Sequence, residues 1–211
     1  MIRRLAWPLL LLSLVATACG DGAIDPNACG DQDEQTLVTV SVDVDGDDRL
    51  DGIRLTRGVI ATCTGSGDDV FEHPDATEHL VPWSFGPEAP MGLLFGSSTV
   101  ELLELTLTTW TPDGWELVSD QAGEPILLRA GRERSEGVIT FLHDHQCGSE
   151  PTQIVSTTVD VTEPIPMVTT TTWQISGTTA TASVESNIDP TLNPNTWFER
   201  RPTVPCPWME G

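Results

Sequence analysis

Apolar and polar residues alternate along short stretches of this chain, and turn-forming residues bound each stretch. Thr36-Leu37-Val38-Thr39-Val40-Ser41-Val42 alternates and is rich in β-branched side chains. Gly52-Ile53-Arg54-Leu55-Thr56 resumes the alternation after an acidic break. A period of two puts successive side chains on opposite faces of a sheet, so both stretches predict strands. Further on, clusters of Thr, Val, Trp and Ile are separated by Gly, Pro and Asp, and no stretch carries the 3.6-residue period of an amphipathic helix. The pattern predicts an all-β domain over residues 36–187.

A weak repeat organises that domain. Asp51-Gly52-Ile53-Arg54-Leu55-Thr56, Glu101-Leu102-Leu103-Glu104-Leu105-Thr106 and Gln153-Ile154-Val155-Ser156-Thr157-Thr158 recur at spacings of 50 and 52 residues, each after a polar or glycine-rich segment. Trp110-Thr111-Pro112-Asp113-Gly114-Trp115 and Ile175-Ser176-Gly177-Thr178 have the composition of hairpin turns. A period near 50 residues predicts propeller-blade-like repeated β-meanders, three units or four with one hidden. Three are too few for an ordinary closed propeller, so a β-sandwich is the alternative.

The ends of the chain speak to location. Arg3 and Arg4, the apolar run Leu5–Val15 and the small residues Ala16-Thr17-Ala18 read as a signal peptide over residues 1–18. Cys19 follows the cleavage site directly, which resembles a bacterial lipobox and implies a diacylated N-terminus. The chain is then lipid-anchored to the outer face of the cell membrane, with full secretion as the alternative. Residues 19–35 have little to bury and read as a tether. Residues 188–211, with Pro190, Pro194, Pro202, Pro205 and Pro207, read as an extended tail. Cys29, Cys63, Cys147 and Cys206 remain for an oxidising compartment, and four cysteines predict two disulfides. Sequence does not select among the three connectivities; Cys29–Cys63 with Cys147–Cys206 would close one end of the fold each.

The acidic break between the first two strands carries the clearest chemistry. Asp43-Val44-Asp45-Gly46-Asp47-Asp48-Arg49-Leu50-Asp51 sets carboxylates at relative positions 1, 3, 5 and 9. With the Arg49 carbonyl at position 7, these oxygens can converge on one hard cation, Ca²⁺. Aspartates this close repel one another unless a cation neutralises them. The plainer alternative is an acidic surface turn. A helix–loop–helix calcium hand is excluded, since both flanks are strands and position 12 is Arg54 where a bidentate glutamate is needed. Position 6 is Asp48 where glycine is usual; Asp is among the few side chains that tolerate positive φ.

Asp43 to Asp51, continued by Gly52-Ile53-Arg54-Leu55, resembles the calcium loop of FG-GAP/VCBS repeats, the integrin-α-like units found in many secreted bacterial proteins. The resemblance covers about a dozen residues. It implies a blade-like hairpin with Ca²⁺ held by Asp43, Asp45, Asp47, the Arg49 carbonyl and Asp51. The sequence departs from the family at Asp48, and no FG-GAP tripeptide precedes the loop.

Other chemistry is weaker. His143 and His145 would share one face of a strand, and His73 or His79 could complete a zinc site with them, though a polar turn leading into Cys147 is the simpler reading. No Gly-x-Ser-x-Gly elbow is present, and Gly65-Ser66-Gly67 reads as a loop. Trp83, Trp110, Trp115 and Trp173 could form an aromatic platform, but a β-domain with no Tyr and five Phe needs them for its core. Thr169–Thr172 reads as an edge or two-sided polar strand.

A net charge of −22 with no Lys argues against nucleic acid or an anionic membrane face as partner. The membrane is reached only through the N-terminal lipid, and the partner expected is an extracellular protein or glycan. Three functions follow: an envelope-anchored, calcium-stabilised β module with a binding or accessory role, a secreted hydrolase whose site the sequence does not display, or a purely structural lipoprotein. The loop's spacing is that of a structural cation site and no nucleophile accompanies it, so the first and third are favoured over the enzyme.

Overall fold

The computed structural model describes residues 36–86 and 90–197. The signal peptide over 1–18, the tether over 19–35, and with them Cys19, Cys29 and Cys206, lie outside the described residues.

Among the described residues the protein is all-β, with 63% of them in strands and no α-helix. Strands β1 (Val38–Val42), β2 (Asp51–Thr56), β3 (Val59–Thr64) and β4 (Gly67–Glu72) form a four-stranded antiparallel meander. Strands β5 (His79–Ser84), β6 (Met91–Ser98), β7 (Leu102–Thr111), β8 (Gly114–Leu117), β9 (Leu127–Ser135), β10 (Val138–Cys147), β11 (Gln153–Asp160), β12 (Met167–Ser176) and β13 (Thr179–Ile188) form a second antiparallel sheet of nine. Its order runs β13-β12-β11-β10-β9-β7-β6-β5, with β8 folded back along β7. Neither sheet closes into a barrel.

Short turns set this connectivity. The predicted turns at 110–115 and 175–178 join β7 to β8 and β12 to β13, with Trp110 opposite Trp115 and Ser176 opposite Thr179. Between β9 and β10, Glu136 and Gly137 sit at φ +51° and +83°. Positive φ at both central residues is the geometry whose twist suits a two-residue hairpin.

Packing follows the two faces of β6. Leu93 and Phe95 point to the four-stranded sheet and are buried with Ile53, Leu55, Ile60 and Trp115. Leu94 points the other way and packs with Trp83, Leu105, Leu107 and Leu128. Ile154, Ile175 and Ala180, from the ends of β11, β12 and β13, join that second cluster. The nine-stranded sheet therefore curls back on itself. The Ser119 N–H donates to the Thr178 carbonyl at 3.0 Å and the Ala180 N–H to the Ser119 carbonyl at 2.8 Å, which ties the β12–β13 tip to the exit of β8. Full burial of each such apolar side chain contributes about 1.5–3 kcal/mol, so the two faces of β6 anchor most of the molecule.

Several expectations meet a different arrangement. The three repeated hexapeptides fall in β2, β7 and β11, with Glu101 just ahead of β7, but sheets of four and nine strands do not divide into three equal blades. His143-Asp144-His145 is no turn: it lies inside β10, paired with β11 along its length and with β9 at His143. Thr169–Thr172 is no edge either, because β12 is flanked by β11 and β13. A strand with polar side chains on both faces reads like an edge even when its backbone is fully paired. Of the expected tail over residues 188–211, Ile188 ends β13, a 3-10 turn follows at Pro194–Thr196, and Trp197 buries against Leu142 and Val159.

Candidate metal centre

The acidic loop joins β1 to β2, as its flanks predict. Asp51 opens β2 directly opposite Val42, the last residue of β1, so Asp43 and Asp51 meet at the neck of the hairpin. The loop winds around its own carboxylates. Asp43 Oδ1 accepts from the Gly46 N–H at 2.8 Å and Oδ2 from the Asp48 N–H at 3.0 Å. Asp45 Oδ1 accepts from the Asp47 N–H at 3.3 Å, and Asp47 Oδ1 from the Arg49 N–H at 2.9 Å. This winding needs left-handed backbone at Gly46 (φ +78°) and at Asp48 (φ +63°). Asp48 thus takes the conformation that glycine usually supplies at this position, and Asp accepts it at modest cost.

Carboxylate oxygens of Asp43, Asp45 and Asp51 lie within 4.8 Å of one another. Two oxygens on opposite sides of a Ca²⁺ ion are separated by about the same distance, since each Ca–O bond is about 2.4 Å. Asp47 is not among the three that converge; it stands beside them, its Oδ2 toward Gly65. Asp51 is 0% exposed. Its Oδ2 accepts from the Val44 N–H at 2.8 Å, while its Oδ1 is buried with no hydrogen-bond partner. Burial pushes the Asp51 carboxyl above the ordinary carboxylate range; the Val44 and Asp45 N–H groups oppose this, and the charges of Asp45 and Asp47 add to it. The donor set is all oxygen and all anionic, which suits a hard divalent ion and no soft one.

An open cleft of about 700 Å³ adjoins the loop. Asp43, Asp45 and Ser66, from the loops of the four-stranded sheet, line it together with Met91, Trp110 and Pro112 of the larger sheet. Ser66, in the tight turn between β3 and β4, donates from Oγ to Asp45 Oδ2 at 3.2 Å. Trp110 packs edge-on against Trp115 at 5.1 Å, and Trp115 Nε1 donates to Thr62 Oγ1 at 2.7 Å across the sheets. The Ser66 contact is 21 residues distant in sequence, and a Gly-Ser-Gly turn gives no sign of it.

The remaining candidates have structural partners. Trp83 and Trp115 are buried and Trp173 packs against the core, which leaves Trp110 as the member of the four that lines the cleft. His143 lies between Thr158 Oγ1 at 3.2 Å and Glu133 Oε2 at 3.1 Å. His145 faces the Arg129 carbonyl, His79 the Ser98 hydroxyl, and His73 stacks between Phe71 and Phe95. Among the described residues, the histidines do not come together as a metal-ligating group. Cys63 stands on β3 and Cys147 ends β10, so each sheet carries one described cysteine. Set against known protein families, curated proteins and solved structures, the chain matches none.

Proposed function

We propose that this protein is an envelope-anchored, calcium-stabilised extracellular β module with a binding or accessory role, held to the membrane through lipid on Cys19. Asp43, Asp45, Asp47, the Arg49 carbonyl and Asp51 hold the ion, and β1–β4 act as one blade-like unit of the FG-GAP/VCBS kind. The supporting observation is the unpartnered, buried Asp51 oxygen beside two further carboxylates. A buried carboxylate without a counter-charge is strongly unfavourable, and a divalent cation removes both the lost solvation and the mutual repulsion.

Thermal unfolding of the exported protein in Ca²⁺, in Mg²⁺ and in EDTA tests this. An ion that binds only the folded state adds about 2.7 kcal/mol at a hundredfold excess over Kd, so melting should rise with calcium. Mg²⁺ should substitute poorly because it dehydrates reluctantly and demands octahedral geometry. Asp45→Ala should lose the calcium shift. An unchanged melting point in millimolar Ca²⁺, or equal protection of Asp45→Ala, would reduce residues 43–51 to an acidic turn.

A further inference from the structure

The loop and the cleft beside it have complementary chemistry. Asp43 and Asp45 line the cleft, whereas Asp51 lies sealed behind them. An ion held by these residues is closed on its inner side and open toward the cleft. Four carboxylates and one carbonyl would supply five oxygens if each bound through one atom, and Ca²⁺ takes six to eight, so at least one position would be left for a ligand, and Asp43 and Asp45 border the cleft from which one could come. The larger sheet contributes Trp110 to the cleft beside Ser84 and Thr111, and the indole is fixed: it is half-buried and held edge-on by Trp115, which is itself tied to Thr62. Met91 and the exposed Pro112 line the cleft with it. A rigid aromatic wall offers contact area without the cost of ordering it on binding.

The charge selects among occupants. Residues 43–51 carry five aspartates and one arginine, so the loop stays negative after one Ca²⁺ is bound, within a chain of net charge −22. Carboxylate, sulfate and phosphate ligands are repelled there, and a neutral ligand is not. A ligand must therefore offer uncharged oxygens to the ion on one side and an apolar face to an indole on the other. A sugar ring has both, with vicinal hydroxyls at one edge and C–H groups on its face. The Ser66 hydroxyl, whose proton goes to Asp45, keeps its oxygen as an acceptor for a ligand hydroxyl.

From this we infer that the cleft is a calcium-dependent binding site for a neutral glycan, its ring stacked on Trp110 and its vicinal hydroxyls completing the coordination of the loop's ion. The inference rests on the calcium reading, and the experiment separates the two. The exported protein is first titrated with Ca²⁺ alone by thermal unfolding. It is then screened on an array of neutral and acidic oligosaccharides in Ca²⁺ and in EDTA, and the best methyl glycosides are titrated by calorimetry.

The expected result is binding of neutral sugars in Ca²⁺ that disappears in EDTA. Trp110→Ala should weaken it by about tenfold or more and keep the calcium shift. Pro112→Asp, on the exposed rim and outside the core, should weaken it similarly and covers the case in which Trp110→Ala unfolds. A calcium shift with no neutral sugar bound overturns the glycan site and leaves the calcium reading standing. Sugar binding that persists in EDTA, unaltered affinity in Pro112→Asp, or selection of acidic glycans or acidic peptides overturns it as well. No calcium shift at all removes the calcium reading first.

Discussion

A carboxylate sealed from water with one oxygen unpartnered weakens the fold until a proton or a cation reaches it. Asp51 is in that position, which gives Asp51→Asn an unusual sign. Asparagine keeps an oxygen for the Val44 N–H and can turn its amide toward Asp43 and Asp45. Without calcium, the variant should be more stable than the parent by about 1–3 kcal/mol, the range for relieving an unsatisfied buried group. With calcium the order should reverse, because one ligand charge is gone. Paired melts in EDTA and in Ca²⁺ read both signs, and a variant less stable than the parent in EDTA would contradict this account. His143 gives a second residue-scale test. Desolvation holds its pKa below the ordinary histidine value against the pull of Glu133, with Arg129 also lowering it and Glu104 raising it. These groups reach it from β9 and β7, while Thr158 on β11 meets its other nitrogen. The unfolded chain then takes up a proton first as pH falls. His143 therefore contributes its full stability above the unfolded value near 6.5, and that contribution is lost as pH drops from there toward the lower folded value. Denaturant midpoints between pH 8 and pH 5 should fall in the parent and fall less in His143→Gln. At this scale the loop's φ > 0 position was readable in Asp48, because Asp tolerates that conformation. The cross-strand partners of His143 were not, since register is decided by the whole ladder.

Strands and turns come through unevenly, for a physical reason. Turns written in Pro, Asp and Gly are local, so the β7–β8 and β12–β13 hairpins appear directly in residues 110–115 and 175–178. Strand identity depends on neighbours. Thr169–Thr172 looks like an edge until β13 pairs with it, and His143-Asp144-His145 looks like a turn until β11 pairs along it. Contact between sheets is less local again, as Trp115 illustrates. Its Nε1 donates to Thr62 at 2.7 Å, 53 residues away, and Thr62 is fully buried. Trp115→Phe leaves that hydroxyl without a donor and should cost about 1–3 kcal/mol in denaturant unfolding. Adding Thr62→Val removes the stranded group as well. The double variant should then be no worse than Trp115→Phe alone, a coupling expected for direct partners and for no distant pair.

For the whole molecule, the question is how two sheets and two terminal segments stay together in a strongly acidic chain. The four-stranded sheet meets the larger one through one face of β6 with Leu80 of β5 and Trp115 of β8, and a net charge of −22 opposes compaction. All-β architecture was readable because alternation and turn residues are local signals. Two unequal sheets were not, because the hexapeptide repeat reports strand composition and says nothing about which sheet a strand joins. The cysteines bear on the same question. Cys63 lies in the smaller sheet and Cys147 in the larger, and of the three connectivities the Cys29–Cys63, Cys147–Cys206 pairing ties Cys29 to the first and Cys206 to the second. Each bridge would then fix a terminal segment to its own sheet and add about 2–4 kcal/mol by restricting the unfolded chain. Thiol labelling under denaturing, non-reducing conditions should find no free cysteine apart from an unlipidated Cys19, and peptide mapping should recover 29 linked to 63 and 147 linked to 206. Reduction should lower the melting point yet leave the calcium shift intact, because the β1–β2 ladder gathers Asp43, Asp45 and Asp51 and no cysteine lies between them. Labelling at two of the four positions would refute the pairing. A calcium shift that vanished on reduction would instead show that the terminal segments, and not the hairpin alone, hold the acidic loop in shape.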